Sequence, residues 1–548
     1  MSPRTTPARA GLAAVAALAL TLTACSGGSD DGDGSSGLDN RTGAMEDYGV
    51  GDQFTATEPL TFSMLFSDHP NYPSKSDWLL WSEITERTGV TVEPTLVPMS
   101  DYEQKRSLLI GAGDAPTLIA KTYPGQEEAF VSSGAILPVS DYVELMPHYQ
   151  AKVAEWGLED NIDQLRQADG KYYVLPGLHE APWQDYSIAM RTDVLADLGL
   201  DVPTSWDEFR DTLEAVQEAN PGEYPFSDRF SDGYPAGSFL NVAALGFGTS
   251  AGWGYDNATW DDDAGEFVAT ATTPEYRALV EYVHDLVADG LMDPESFTQD
   301  DDTAIQKFVT GRSAAISANA QSVVNDYEPG LAANDPEATV AKIPFPCGDA
   351  GCVLNPVSQL ENGLMINADA ADSPDFVAMM QFVDWLFYSD EGQEFVKWGV
   401  EGTTFDKADD GTRTLAADVD FVGLNPGAPK HLQKDFGFSG GNVAYGGTTD
   451  LLWSTFSDAE IAFQESIADY DMIDLAPPAP LDELEVEQIT LIDTTLRDAV
   501  SQGTVQFILG QRDLSEWDAF VADLESKGAT QYVDIVNGAR ERYVAENG

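Results

Sequence analysis

Serine, cysteine, histidine and the carboxylates are the residues on which hydrolytic or metal chemistry would rest, and their spacing in this sequence supplies little of it. Gly437-Phe438-Ser439-Gly440-Gly441 fits the G-x-S-x-G pattern of a nucleophilic serine on a sharp turn. Such a turn needs a buried strand before it and its histidine after it. Here Lys434-Asp435 precede it and the last histidine is His431, so a Gly-rich loop is the better reading. No P-loop, no G-x-G-x-x-G following a strand and no H-E-x-x-H occurs, which leaves nucleotide chemistry and zinc proteolysis without a motif. The five histidines are scattered without metal-ligand spacing. The runs Asp261-Asp262-Asp263 and Asp300-Asp301-Asp302 lack the Gly and Glu positions of a calcium loop and read as solvated turns. Two carboxylates could flank a glycosidic bond, but with 93 acidic residues such pairs arise anywhere. No metal and no cofactor is expected.

The 93 acids stand against 28 Lys and Arg, a formal charge of -65 in 548 residues. No basic stripe remains to neutralise a phosphate backbone, so nucleic acid is excluded as a partner. With 43% apolar residues the chain is long enough for a large two-lobed fold. Its start is an address. Arg4 and Arg9 precede the apolar stretch Gly11–Leu20, too short to span a bilayer, and Leu22-Thr23-Ala24-Cys25 resembles a bacterial lipobox. Residues 1–24 are therefore expected to be a lipoprotein signal peptide, and Cys25 the lipidated N-terminus on the extracellular face of the cytoplasmic membrane. Ser26–Gly37 is too rich in Gly, Ser and Asp to bury a core, and a flexible tether is expected over residues 25–57. In an oxidising compartment Cys347 and Cys352, with four residues between them, are expected to form one local disulfide.

The positioning elements follow from periodicity. Leu60–Phe66 alternates as a strand, Ser76–Thr88 reads as a helix closed by Gly89, Gly89–Leu96 as a strand, Asp101–Ile110 as a helix and Thr117–Ala120 as a short strand. That alternation predicts an α/β fold with a mostly parallel sheet covered by helices. Further helices are marked by Thr273-Pro274-Glu275 ahead of Tyr276, Leu279, Val280, Val283 and Leu286, by Ser373-Pro374-Asp375 ahead of Phe376 and Met380, and by Asp513-Leu514-Ser515-Glu516 ahead of Trp517 and Phe520.

The order of several short segments carries a resemblance. Leu108-Leu109-Ile110-Gly111-Ala112-Gly113-Asp114-Ala115-Pro116-Thr117-Leu118-Ile119 and Gly134-Ala135-Ile136-Leu137-Pro138-Val139 are followed by Asp169-Gly170-Lys171-Tyr172-Tyr173-Val174-Leu175-Pro176. Then come Arg191–Leu200 with Pro203–Phe209, Gly290–Glu295, Trp398-Gly399-Val400-Glu401-Gly402 and Leu475-Ala476-Pro477-Pro478. From about residue 58 onward the chain resembles the long lipoprotein branch of family 1 extracellular solute-binding proteins, the LplA-type and alginate-oligosaccharide-binding group. The resemblance implies a two-lobed periplasmic-binding-protein-like fold of type II, closing through a hinge on a ligand held between lobes. It divides the chain into residues 58–187 with 360–405 and residues 188–359 with 406–548. It further implies a carbohydrate ligand, expected to be an oligosaccharide, delivered to the transmembrane subunits of an ABC permease by a monomer that touches the membrane through its lipid alone. The place of the calcium loop found in several members reads Ala219-Asn220-Pro221-Gly222-Glu223 here, too short and without the Asp ligands, so no structural calcium is expected there.

Sugar recognition needs aromatic faces and planar polar groups on loops at strand ends. On that ground the expected ligand-binding residues are Asp68, Tyr123, Trp183, Trp253, Asn319, Trp398 and Glu401, with His69, Tyr72, Lys121, Glu180, Tyr186, Tyr255, Asn355 and Glu361 near them. Catalytic residues are not expected. Two other functions compete: a secreted polysaccharide hydrolase or lyase, which would cleave what it binds, and a receptor for a peptide or other non-sugar solute, since fold does not determine ligand.

Overall fold

The computed structural model describes residues 37–229, 236–355 and 359–547, so the signal sequence and Cys25 lie outside the described residues. Eight strands position the site: β1 (Leu60–Asp68), β2 (Val90–Pro98), β3 (Leu118–Thr122), β4 (Leu175–Leu178), β5 (Ser187–Arg191), β6 (Ala315–Ala318), β7 (Val340–Lys342) and β8 (Leu360–Ile366). The first sheet runs β2-β1-β3-β8-β4, and the second runs β6-β5-β7. Among the described residues no helix is long and apolar enough to cross a membrane.

The strand alternation of the sequence is realised face by face. Phe62, Met64 and Phe66 of β1, with Leu118 and Ala120 of β3, point into one apolar cluster. Leu65 and Ile119 point the other way, into a second cluster beneath the helix Tyr102–Ala112. The helix Leu79–Thr88 returns the chain from β1 to β2 in parallel and ends at Gly89, whose φ of 73° is the left-handed value that glycine takes without a Cβ clash. Within these two sheets the parallel expectation holds for β1, β2 and β3. β8 runs antiparallel between β3 and β4, and both pairings of the second sheet are antiparallel. β8 enters the first sheet from the far half of the chain, not through a local strand-helix-strand crossover, so its direction is not tied to that of its neighbours.

The second half has its own core. Trp206, Phe209 and Leu213 of the helix Trp206–Ala219 meet Tyr276, Leu279 and Val283 of the helix Pro274–Ala288, and the C-terminal helices Glu483–Ile508 and Trp517–Ser526 close the cluster with Phe507, Trp517 and Phe520. Thr273 caps its helix by accepting the Tyr276 N–H, with Pro274 in the first turn. Cys347 and Cys352 are joined in a disulfide.

Two boundaries differ from the sequence expectation. Residues 37–57 are packed, not a free tether: Phe54 is fully buried, Asn40 Nδ2 donates to Ala371 O at 2.8 Å, and Tyr48 OH donates to Asp384 Oδ2 at 3.0 Å. This stretch carries apolar and aromatic anchors that the Gly- and Ser-rich segment before it lacks. Residues 406–451 also change sides, because Leu415, Val419, Phe438, Val443, Tyr445 and Leu451 pack into the first core together with the helix Phe376–Tyr388.

Candidate functional site

The strand ends of both sheets open onto a cleft of about 560 Å³, inside the range of about 300–1,000 Å³ typical of small-ligand sites. From the first half come His69 and Tyr72 after β1, Lys121 and Tyr123 at the end of β3, His179 after β4, Glu361 and Asn362 in β8, and Lys397 in the helix Asp390–Trp398. Trp183, Asp185 and Tyr186 lie on the crossing from β4 to β5, while Asn319, Phe456 and Glu460 face them from the second half. Three aromatic groups result. Trp183 lies between His179 and Phe456, at 5.7 and 6.2 Å between ring centres. Tyr186 meets Trp253 edge to face at 5.0 Å, and His69 stacks on Tyr72 at 4.2 Å. Flat rings beside unpartnered polar atoms suit the two sides of a polyhydroxylated ring. His179 Nδ1, Trp183 Nε1 and Asn362 Oδ1 are buried and make no hydrogen bond among the described residues.

The charges of the floor are mostly engaged. Glu361 Oε2 accepts from His179 Nε2 at 3.0 Å and from the Gly446 N–H at 2.9 Å. Burial would push its carboxyl up, but the His179 bond, the charges of His179 and Lys397 and the Gly446 N–H outweigh burial and hold it at about 2. Lys397 is lowered by burial and supported by Glu361. Beneath the second-half wall, Lys342 Nζ meets Glu460 Oε1 at 2.8 Å and donates to Asp185 O at 2.7 Å. Gln464 Nε2 bridges Glu460 Oε1 and Gln184 O at 2.9 and 2.7 Å, so one buried group of polar side chains fixes the backbone that carries Trp183 and Tyr186. Burial raises the Asp185 carboxyl, against the Lys342 charge and the Ala320 N–H.

Backbone strain concentrates here. The non-glycine residues with positive φ among the described residues are Lys121, Ala236, Val422 and Ser439, and Lys121, Val422 and Ser439 all line the cleft. Each left-handed non-glycine residue costs on the order of 1–3 kcal/mol and persists only where its surroundings hold it, a pattern that clusters at functional sites. Ser439 belongs to the G-x-S-x-G segment. Its N–H donates to Val396 O and its carbonyl accepts from Gln433 Nε2, which gives a strained loop and not a strand-to-helix nucleophile turn.

The structure sorts the sequence candidates. Tyr123, Trp183 and Asn319 line the cleft. Asn319 also caps the turn Ala320–Ser322, its Oδ1 accepting the Ser322 N–H. Trp253 is not in the lining; it is exposed and packs edge to face on Tyr186. Asp68 is off the lining, where its carboxylate accepts the Ser74 N–H at 2.7 Å and closes the loop after β1. Trp398 is a core residue, 2% exposed, packed on Phe405 with its Nε1 donating to Ser454 Oγ. Glu401 is exposed on the loop beyond that helix. The sequence reading missed His179, Asp185, Asn362, Lys397, Phe456 and Glu460. His179 directly follows β4 and Lys397 adjoins the W-G-x-E-G segment, so strand-end position was the available signal for the first and helical phase for the second.

Comparison with known proteins is consistent across the chain. The family described as bacterial extracellular solute-binding protein matches residues 79–394. The fructooligosaccharide ABC transporter substrate-binding protein FusA of Streptococcus pneumoniae serotype 4 is 24% identical over 546 residues, covering 92% of this chain and 94% of its own. An extracellular solute-binding protein from Bifidobacterium longum subsp. infantis superposes with a TM-score of 0.67 at 17% identity, over 89% of this chain and 99% of that one. The alginate-binding protein AlgQ2, solved without calcium ion, gives 0.66 at 18% identity, over 89% and 99%. These neighbours share the two-lobed α/β fold.

Proposed function

The chain belongs to the bacterial extracellular solute-binding proteins, and from that premise we propose that it binds an oligosaccharide in the cleft and hands it intact to an ABC permease. The observation that carries this reading is the cleft itself: aromatic faces from both halves stand beside buried polar atoms that make no hydrogen bond among the described residues. FusA, by its name, takes fructo-oligosaccharides, and AlgQ2 takes alginate. Both support a carbohydrate, and neither specifies which one. Binding without turnover is supported by the state of two of the three carboxylates that line the cleft. Glu361 is committed to His179 and Gly446, and Glu460 to Lys342 and Gln464. A glycosidase needs one carboxyl free to give a proton and another free to attack or activate water. Attachment through a lipidated Cys25 on the extracellular face of the membrane completes the proposal.

The test is a titration of intrinsic tryptophan fluorescence, on the chain without its first 25 residues, with a panel of neutral and acidic oligosaccharides. The mixtures are then analysed for cleavage. A saturable change with intact sugar is the expected result. Shortened products would replace this reading with the hydrolase, and a flat response across the panel would replace it with a receptor for a non-sugar solute.

A further inference from the structure

Lys121 differs from the other lysines at the cleft. Lys397, the other lysine of the lining, is buried in the floor, where its Nζ donates to Ala444 O at 3.2 Å and feels the Glu361 charge, and Lys342, behind the lining, sits on Glu460. Lys121 forms no ion pair among the described residues; its Nζ lies 5.2 Å from the centre of the Tyr123 ring and close against Gly441, where an added Cβ would come within 3.1 Å of it. In a chain of net charge -65 an uncompensated ammonium on a cleft wall is a specific placement.

The backbone beneath it is shaped to make that placement. Thr122 pairs with Gly363 and Ile119 with Met365, so Ala120 and Lys121 together stand opposite Leu364, a β-bulge. Bulges bend a strand and re-aim a side chain, and they favour glycine where φ is positive. Lys121 holds φ at 54° instead. Three side chains keep it there: Tyr102 OH donates to Ala120 O at 2.5 Å, Arg106 Nη1 to Lys121 O at 3.1 Å, and the Lys121 N–H donates to Tyr445 OH at 3.1 Å. Arg106 is 3% exposed, and its Nη1 also reaches Gln126 Oε1 at 2.9 Å. A strand that needed only to turn at this point would be served better by glycine.

We propose that Lys121 is the specificity-determining donor of this cleft, its ammonium taking adjacent hydroxyls of a neutral sugar unit laid against Tyr123, with Arg106 as the residue that positions it. A polyuronate brings one carboxylate per unit and would need a cation for each. Of the two lysines that line the cleft, Lys397 is buried beside Glu361 and only Lys121 is half-exposed, and Asp185 stands on the crossing segment. This inference rests on the carbohydrate reading above.

The experiment uses the chain without its first 25 residues and the best neutral oligosaccharide of the panel, with its uronic-acid counterpart alongside. Calorimetric affinities are measured for wild type, Lys121→Met and Lys121→Gly, together with ligand-free melting temperatures. Loss of charge-assisted hydrogen bonds is expected to weaken neutral-sugar binding on the order of 10- to 100-fold in both variants. Lys121→Gly is expected to melt no lower than wild type, because glycine accepts this φ. Arg106→Met should weaken binding in the wild-type background and add nothing in the Lys121→Met background, with Arg106→Lys recovering part of the loss. Unchanged affinity in both Lys121 variants overturns the assignment while leaving the carbohydrate reading intact. Tighter, salt-sensitive binding of the uronic counterpart overturns the neutral ligand, and a wild type that binds no oligosaccharide takes the assignment down with the carbohydrate reading.

Discussion

Trp183 and Trp398 are interchangeable as sequence, each an indole beside small or polar neighbours after a strand or helix, yet their surroundings assign them opposite work. Trp183 is half-buried between His179 and Phe456 with its Nε1 unpartnered, so truncation should remove ligand contact more than core. Trp183→Ala is expected to weaken oligosaccharide binding by about 1–2 kcal/mol with little change in melting, read by calorimetry and thermal denaturation. Trp398 fills the first core and satisfies its Nε1 on Ser454. Trp398→Ala should cost about 3–5 kcal/mol in urea unfolding and leave the affinity of the folded fraction unchanged. The neighbouring Lys397 shows why the sequence could not separate these roles. Successive residues of a helix point about 100° apart, so Lys397 faces the cleft while Trp398 faces the core. Composition and order identify the helix, but its rotational phase is set by the neighbours it packs on. The same one-residue offset at the end of β1 gives Asp68 a loop to close and His69 a place on the cleft wall.

At the scale of elements, local signals were legible where local physics decides. β1, β2, β3, the helices between them and the capped helix at Thr273 follow from alternation, an αL glycine and a capping side chain, and they are found within a few residues of their expected limits. What the sequence hid is long-range. The antiparallel entry of β8, the packing of residues 37–57 and the return of residues 406–451 to the first core are contacts between segments hundreds of residues apart, and no local pattern encodes them. Two variants test these attachments. Phe54→Ala should lower stability by about 3–5 kcal/mol although it lies in a stretch that reads as tether, and an unaltered urea midpoint would return that stretch to tether status. Glu460→Gln leaves Lys342 buried without its carboxylate, and breaking a buried pair in this way costs about 3–5 kcal/mol. Because Lys342 and Gln464 also grip the backbone at Asp185 and Gln184, the same variant should loosen the cleft, so affinity is expected to fall in parallel with stability.

Over the whole molecule, an excess of 65 negative charges makes stability a balance between packing and self-repulsion, and pH moves that balance through a few buried carboxyls. Glu361 is held at about 2 in the folded chain, below its ordinary value of 4.5. Its contribution is therefore complete above 4.5 and is lost as pH falls toward 2. Glu127 has the opposite sign. It is fully buried, and burial pushes it up to about 7 against the nearby backbone N–H groups of Glu127 and Gly125 and the Arg106 charge. The folded chain then holds a proton that the unfolded chain releases, so stability falls as pH rises from 4.5 to 7, by about 3 kcal/mol for a shift of that size. Asp228, pushed up to about 6 by burial, adds to the same decline. Urea unfolding between pH 4 and 9 should accordingly show a slope through this window that Glu127→Gln flattens, and an identical slope in the variant would place its source elsewhere. Added salt acts on the other side of the balance. Half-molar sodium chloride shortens the screening length to a few ångströms, so surface repulsion weakens while the buried carboxyls are little affected. The melting temperature at pH 8 should therefore rise with salt in wild type and Glu127→Gln alike, which separates the diffuse charge of the surface from the single buried carboxyl.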